Sequence, residues 1–414
     1  LLKKCDYNMP ISSSFFQRLQ PSLHELVDRY GTPFHIYDEA GIVSSHQSLT
    51  QAFKEIKFKQ FFAVKALPNP AILKTLHSLG SGMDCASVTE LELVTRSGIS
   101  GKDVLYTANN SSTKGMKEAV KIGAWITMDD ITCLGDYTPL PDVVSFRVAL
   151  GNGNSKLMGG DESKFGVPLD SILSAYKQAI SLGAKRFGIH QMTCANTLDI
   201  NSMLDGACRL INLASGISKK LNINFEYINI GGGPGIPYRL TEESFNIEDY
   251  AKKIISLLKM NFDIIPTLFM ECGRFISGSH GVLVSRVQTV CNKYRTIIGL
   301  DASMASLMRP ALYKDAYHHI TLPFNNTELL GTFDVVGSLC ENIDKFAICR
   351  ELPIPRVDDI VLIHDTGAHG ASMGFNYNGH LRPAEVLLKR DGCIKLIRRH
   401  ENFMDYISTI IDDE

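Results

Sequence analysis

Four features of this sequence carry chemistry that their neighbours do not call for. Lys65 lies in Phe61-Phe62-Ala63-Val64-Lys65-Ala66, ahead of Pro68-Asn69-Pro70. The apolar, aromatic and β-branched run reads as a buried strand ended by a turn. An ammonium in apolar surroundings is costly unless it sheds its proton, and a neutral amine attacks carbonyl carbon. Lys65 is therefore a candidate Schiff-base lysine; the ordinary alternative is a strand-end lysine reaching solvent. Gly231-Gly232-Gly233-Pro234-Gly235 lets backbone N–H groups close on an anion, although a glycine cluster alone also reads as a tight turn. His190 and Glu271 each close an apolar run. A histidine ring can stack or hydrogen-bond, and a carboxylate can hold a cation.

The elements that must position these residues follow a regular pattern. Strand-like runs fall at 61–65, 83–86, 104–107, 125–128, 143–148, 187–190, 225–230 and 267–271. Helical patterns at 72–79, 88–97, 113–122, 171–182, 200–219 and 247–258 separate most of them, and Gly80, Gly98, Gly123 and Gly183 end four of these. A polar glycine-rich loop follows the fifth run, and Asp170 is the expected cap of the helix at 171–182. Eight such units predict a (β/α)8 barrel, with a doubly wound open sheet as the competitor. On a barrel, Lys65, His190 and Glu271 fall at the C-terminal ends of strands, where barrel enzymes keep their sites. The loop 231–235 then follows the seventh strand, where phosphate is often held.

Around this core the pattern differs. Residues 1–31 read as a lead-in with one amphipathic helix, 34–38 as a strand and 42–56 as a helix. Beyond about residue 276 the period becomes two, with strands at 282–290, 296–300, 333–336 and 360–363. Runs at 387–389 and 394–398 flank Asp391-Gly392, a hairpin signal, and a helix closes the chain at 402–411. The expected domains are a lead-in, 1–38, whose strand joins the β domain; a barrel, 39–275; and a C-terminal β-sandwich or β-barrel domain, 276–414.

The formal net charge of −2 over 414 residues argues against nucleic acid as a partner and against a polybasic membrane surface. No apolar run reaches membrane-spanning length. The start, Leu1-Leu2-Lys3-Lys4-Cys5-Asp6, lacks the apolar core of a signal peptide. The ten cysteines form no CxxC pair, which is the usage of a reducing compartment and predicts a cytoplasmic protein. No metal-ligand spacing occurs; His318-His319 reads as a strand pair.

A lysine to trap an aldehyde, a phosphate cradle, a ring able to stack and a carboxylate to keep a pyridine nitrogen protonated meet the needs of pyridoxal 5'-phosphate. At this point the chain resembles the fold-type III, alanine racemase-like pyridoxal phosphate decarboxylases, most closely the diaminopimelate decarboxylases. The motifs are Phe62-Ala63-Val64-Lys65-Ala66, the glycine loop 231–235, Glu271-Cys272-Gly273-Arg274 and Met308-Arg309-Pro310-Ala311-Leu312-Tyr313. They continue with Gly337-Ser338-Leu339-Cys340-Glu341-Asn342 and with Asn376-Tyr377-Asn378 followed by Arg382-Pro383-Ala384-Glu385. They span almost the whole chain in family order.

The resemblance implies roles. Lys65 would bind the cofactor covalently, His190 would stack on its ring and Glu271 would meet its nitrogen. Gly232, Gly233 and Gly273 would offer amides to the phosphate, with Thr193 in place of a family serine; Arg274 and Tyr377 would also lie against the cofactor. Arg274, Arg309, Tyr313, Glu341 and Tyr377 would hold an amino-acid substrate. Cys340 would return a proton, and Cys340 and Glu341 would enter from the second subunit of a homodimer with shared active sites. The implied reaction is decarboxylation of meso-2,6-diaminopimelate at its D-centre to L-lysine, a step of lysine biosynthesis. Relatives acting on carboxynorspermidine, D-lysine or ornithine, and a non-catalytic regulator, are the alternatives. The chain departs from the family at Cys272, Thr193 and His369, where proline, serine and tyrosine are usual, and in having Asn342 after the Cys-Glu pair.

Overall fold

The computed structural model describes residues 12–110, 112–136, 140–151 and 163–411. The first part of the lead-in and most of the polar loop after the fifth barrel strand lie outside the described residues. The chain divides into two compact units. One comprises Val43–Ile236 and Glu243–Ile276; the other Leu1–Ile42, Pro237–Glu242 and Ser277–Glu414.

The unit holding Val43–Ile236 is the barrel. Its strands are β1 (Phe58–Ala63), β2 (Gly82–Cys85), β3 (Val104–Tyr106), β4 (Trp125–Ile126), β5 (Val144–Ala149), β6 (Phe187–His190), β7 (Phe225–Asn229) and β8 (Thr267–Met270). Each pairs in parallel with its neighbour from β1 to β4 and from β5 to β8, and β8 pairs with β1 through Leu268↔Phe58 and Met270↔Gln60. Between β4 and β5 the ring closes just past the end of β4. Met128 bridges Phe146, donating to Ser145 O at 2.8 Å and accepting from Arg147 N at 2.8 Å. The open-sheet alternative is thereby excluded, because both edges of the sheet are consumed. A two-residue strand, Val167–Pro168, adds to β5.

The aromatic rings of Phe61, Trp125, Tyr227 and Phe269 form one packed cluster, with Tyr227 and Phe269 stacked at 4.4 Å. Two glycines make room for them: a Cβ on Gly82 would lie 2.4 Å from the Phe61 ring, and one on Gly188 2.3 Å from Tyr227. The helices form because each couples a polar cap to an apolar stripe. In Ile247–Asn261, Asn246 accepts from Asp249 N, and Ile247, Tyr250, Ala251, Ile254, Ile255 and Leu258 are all buried. The cap of Ile172–Ser181 differs from expectation. It falls on Ser171, whose amide is already turned onto Pro168 O, so Asp170 stands one residue too early.

The other unit is mainly antiparallel. Its sheet runs from Lys345–Pro353 through Leu330–Val336, Thr296–Leu300, Gly281–Asn292, Phe34–Asp38 and Ala384–Leu388 to Ile394–Arg398. Ile360–Ile363 pairs with both Gly281–Asn292 and Ile320–Thr321. Phe34–Asp38 thus belongs to this sheet, buried along all five residues. The Asp391-Gly392 hairpin forms, with Leu388 opposite Ile394 and Gly392 at φ 86°. Lys345–Pro353 had no clear alternation in sequence. Its Cys349 takes a positive φ of 49° and shifts the register against Leu330–Val336. His318 and His319 precede Ile320–Thr321; the His318 ring bonds to His364 O at 2.7 Å.

Candidate active site

At one end of the barrel, strand ends deliver Lys65, Asp84, His190, Asn229 and Glu271. Lys65 is not in a strand. β1 stops at Ala63, and Val64–Ala66 is a single 3-10 turn on which the Lys65 side chain is exposed. The expectation of an amine neutralised by an apolar strand is therefore corrected. The ladder with β8 ends at Gln60, and the chain must turn before Pro68, which carries Lys65 out of the sheet. Its surroundings are acidic: its charge acts on Asp84, Glu271 and Glu90.

Glu271 is buried, and burial alone raises a carboxyl. Here the His190 ring, Lys65 and a hydrogen bond from Asn229 outweigh it and hold Glu271 down at about 2. Asn229 Nδ2 donates to Glu271 Oε1 at 2.7 Å, and Thr107 Oγ1 donates to the same oxygen at 3.3 Å. His190 Nε2 lies 3.4 Å from the same oxygen. Neither His190 ring nitrogen has a hydrogen-bond partner among the described residues, although the ring is fully buried. Asp84 behaves oppositely. Burial and the Glu271 charge push its carboxyl well above the ordinary value. The two neighbouring carboxyls are thus pushed in opposite directions, Glu271 down and Asp84 up.

The glycine loop begins where β7 ends. Gly231 N donates to Asn229 Oδ1 at 3.0 Å, so one side-chain amide ties the loop to Glu271. The Gly232 amide donates to a sulfur, Met192 Sδ at 3.2 Å, a weak acceptor. A Cβ on Gly232 would lie 2.6 Å from Glu271 O, and Gly233 stands at φ 119°. Gly273 is as tightly seated, 2.8 Å from Ala66 Cβ by the same measure. Arg274, half-buried, follows it. Thr193 is buried, but its hydroxyl faces the helix Ile200–Leu221: a Cβ on Gly206 would lie 2.4 Å from Thr193 Oγ1.

In the other unit, the expected substrate residues form two groups. The Arg309 guanidinium stacks on Tyr238 at 3.8 Å and its Nη1 donates to Tyr317 O at 3.1 Å. Tyr313, exposed, follows one helical turn later with its amide on Arg309 O. The second group is Cys340, Glu341 and Tyr377, all exposed. Cys340 N donates to Asn378 Oδ1 at 2.8 Å, and the Glu341 carboxylate beside Tyr377 raises that phenol.

Sequence reasoning missed Asp84, Arg147 and Asn229. Arg147 is buried, donates to Asn109 Oδ1 at 2.9 Å and stacks on Phe165 at 4.4 Å. Each is a charged or amide side chain inside an apolar strand run, the same signal that singled out Lys65.

These residues fit pyridoxal phosphate. A buried carboxylate held ionised suits a protonated pyridine nitrogen. A buried histidine ring without hydrogen bonds offers a face, and the glycine amides of a cradle that any Cβ would fill suit a phosphate. The fold and this end of the barrel define a pyridoxal phosphate-dependent barrel enzyme.

Comparison with known proteins makes the assignment specific. The family described as "Pyridoxal-dependent decarboxylase, pyridoxal binding domain" matches residues 39–278, and the chain belongs to it. It is 50% identical over 406 residues to Protein TabA of Pseudomonas amygdali pv. tabaci, covering 97% of this chain and 96% of that one. It is 35% identical to the diaminopimelate decarboxylase of Methanothermobacter thermautotrophicus, covering 92% of each. Among solved structures, the diaminopimelate decarboxylase of Helicobacter pylori complexed with L-lysine superposes with a TM-score of 0.87 at 27% identity, covering 93% of this chain and 98% of that chain. The protein is a pyridoxal phosphate-dependent amino-acid decarboxylase.

Proposed function

We propose that the protein decarboxylates meso-2,6-diaminopimelate at its D-centre, releasing CO2 and L-lysine. The observation that carries this is the run of diaminopimelate decarboxylases at 30–35% identity over more than 90% of this chain. A two-ended substrate needs a second anchor, and Arg274, Arg309, Tyr313 and Glu341 supply the charge and hydrogen bonds for one.

When bound, pyridoxal phosphate accepts the electron pair left as carbon dioxide departs. The chain does the rest. Lys65 would provide the amine that holds the cofactor aldehyde. Glu271, held low and fixed by Asn229, would hold the ring nitrogen, and His190 would offer a face to the ring. Gly232, Gly233 and Gly273 would offer amides to the phosphate. Arg274 and Arg309 orient the substrate carboxylates, Cys340 holds the proton returned to carbon, and Tyr377 closes the pocket. The exposed group Cys340, Glu341 and Tyr377 supports a homodimer in which this group serves the partner's Lys65. No helix among the described residues is long and apolar enough to cross a membrane, and we place the enzyme in the cytoplasm, in lysine biosynthesis.

One observation favours a second reading. Protein TabA, 50% identical over nearly the whole chain, bears a name that states no substrate, so a related diamino acid or carboxylated amine is the rival. The test is release of CO2 and L-lysine from meso-diaminopimelate, run beside D-lysine, ornithine and carboxynorspermidine. Highest kcat/KM for meso-diaminopimelate is expected; a higher value for another substrate would reassign it. Lys65→Ala should lose nearly all turnover and the pyridoxyl group trapped on Lys65 by borohydride. Full activity in that variant would reject the site.

A further inference from the structure

The segment Glu271-Cys272-Gly273 leaves the sheet just where its position matters most. The β8–β1 ladder ends with Met270 opposite Gln60; the Glu271 amide still bonds to Gly231 O at 3.0 Å on the β7 side, but no pairing with β1 holds the next three residues. Something else must set them against the turn that carries Lys65. Gln60 is 1% exposed, and a buried side-chain amide is costly unless its hydrogen bonds are made. Its Nε2 donates to Cys272 O at 2.7 Å and to Phe61 O at 2.8 Å, and its Oε1 accepts from Cys272 N at 3.4 Å. One side chain therefore grips both backbone groups of the residue between Glu271 and Gly273. On the far side Gly273 rests on Ala63 and Ala66, where a Cβ would come within 3.1 and 2.8 Å. The segment is clamped between an amide five residues before Lys65 and the turn on which Lys65 sits.

We infer that Gln60 is a positioning residue for the cofactor site. Through the Cys272 peptide it fixes the Glu271 carboxylate and the Gly273 amide relative to Lys65, and so sets cofactor affinity. The inference rests on the roles given above to Lys65, Glu271 and Gly273. It touches neither cofactor nor substrate itself. The bond from Cys272 N–H also makes a chemical demand, since a residue without an N–H at 272 leaves the Gln60 oxygen buried and unsatisfied.

The test uses the full chain and four variants: Gln60→Leu, Cys272→Ala, Cys272→Pro and the double variant Gln60→Leu/Cys272→Pro. Pyridoxal phosphate is titrated and followed by its visible absorption, and the cofactor-free proteins are melted in parallel. Gln60→Leu is expected to weaken cofactor binding about tenfold or more, because three backbone groups, Phe61 O and both Cys272 N and O, lose their partner and the segment is no longer held in the position that receives the cofactor. It should also shift the absorption of what remains bound. Cys272→Pro should weaken binding more than Cys272→Ala, and that excess should shrink in the Gln60→Leu background. Should Gln60→Leu fail to fold, the two Cys272 variants still decide. Unchanged cofactor affinity and spectrum in Gln60→Leu, or Cys272→Pro indistinguishable from Cys272→Ala, would overturn the inference. Borohydride trapping on wild-type Lys65 separates the two claims: its absence defeats the site assignment, whereas trapping with a wild-type-like Gln60→Leu defeats only this inference.

Discussion

Replacing Asn229 by aspartate is the sharpest probe of how the site keeps Glu271 charged. Asn229 is fully buried, with one end of its amide on Glu271 Oε1 at 2.7 Å and the other on Gly231 N at 3.0 Å. Asn229→Asp keeps the acceptor for Gly231 but turns the donor into a second carboxylate oxygen against the first. With the charges about 4 Å apart and an effective dielectric of about 20, the repulsion is about 4 kcal/mol. That equals about 3 pK units, enough to lift a group held at about 2 into the range where the pair shares a proton. Adding about 3 units to about 2 puts the shared proton near pH 5, so cofactor binding should weaken more than tenfold at about pH 5 and recover part of the loss at about pH 7, as that proton leaves. Asn229→Leu removes both hydrogen bonds without adding charge, so its loss should be nearly independent of pH. Cofactor titration by absorption at the two pH values reads both. Matching pH-independent losses in the two variants, or no loss in Asn229→Asp, would refute the electrostatic account.

Other outcomes follow from the same geometry. Gly232→Ala should weaken cofactor binding at least tenfold and also lower the melting temperature of the cofactor-free protein, since its Cβ would lie 2.6 Å from the Glu271 carbonyl oxygen, a backbone atom that must shift to admit it. Cys340→Ala should lower turnover strongly yet leave the pyridoxyl adduct on Lys65 intact, as mass spectrometry after borohydride reduction would show. Acid stability should depend on Glu271: its carboxyl is lowered from 4.5 to about 2, so its contribution, about 3 kcal/mol, is complete above pH 4.5 and is lost as pH falls toward 2. Urea unfolding of wild type and Glu271→Gln at pH values across that window should therefore converge at the acid end. Asp84 has the reverse sign. Its raised carboxyl disfavours folding at neutral pH, so Asp84→Asn should stabilise the cofactor-free protein there, with the gain fading in acid.

How much could be read beforehand is clearest at particular residues. Ile247, Tyr250, Ala251, Ile254, Ile255 and Leu258 share one helical face in the sequence and are buried together in the fold. Glycine at 232, 233 and 273 likewise announces a backbone that something approaches closely, and each seat is one a Cβ would fill. Asp84, Asn229 and Arg147 were not legible, because their partners lie on other strands: Glu271 is 42 residues from Asn229 along the chain. Nor was the exposed turn of Lys65, which depends on where the ladder with β8 stops.

The sequence by itself determined the alternation of strands and helices, the mainly β character of the second half, and the presence of a lysine able to trap an aldehyde and of a glycine loop. These follow from local periodicity and from chemistry that single side chains possess wherever they lie. Only the tertiary structure decided that the sheet closes at Met128 and Phe146, and that of two neighbouring carboxyls Glu271 is pushed down and Asp84 up. Both depend on which groups residues distant in the chain bring within a few ångströms, and charge at that range is set by the neighbours a fold supplies.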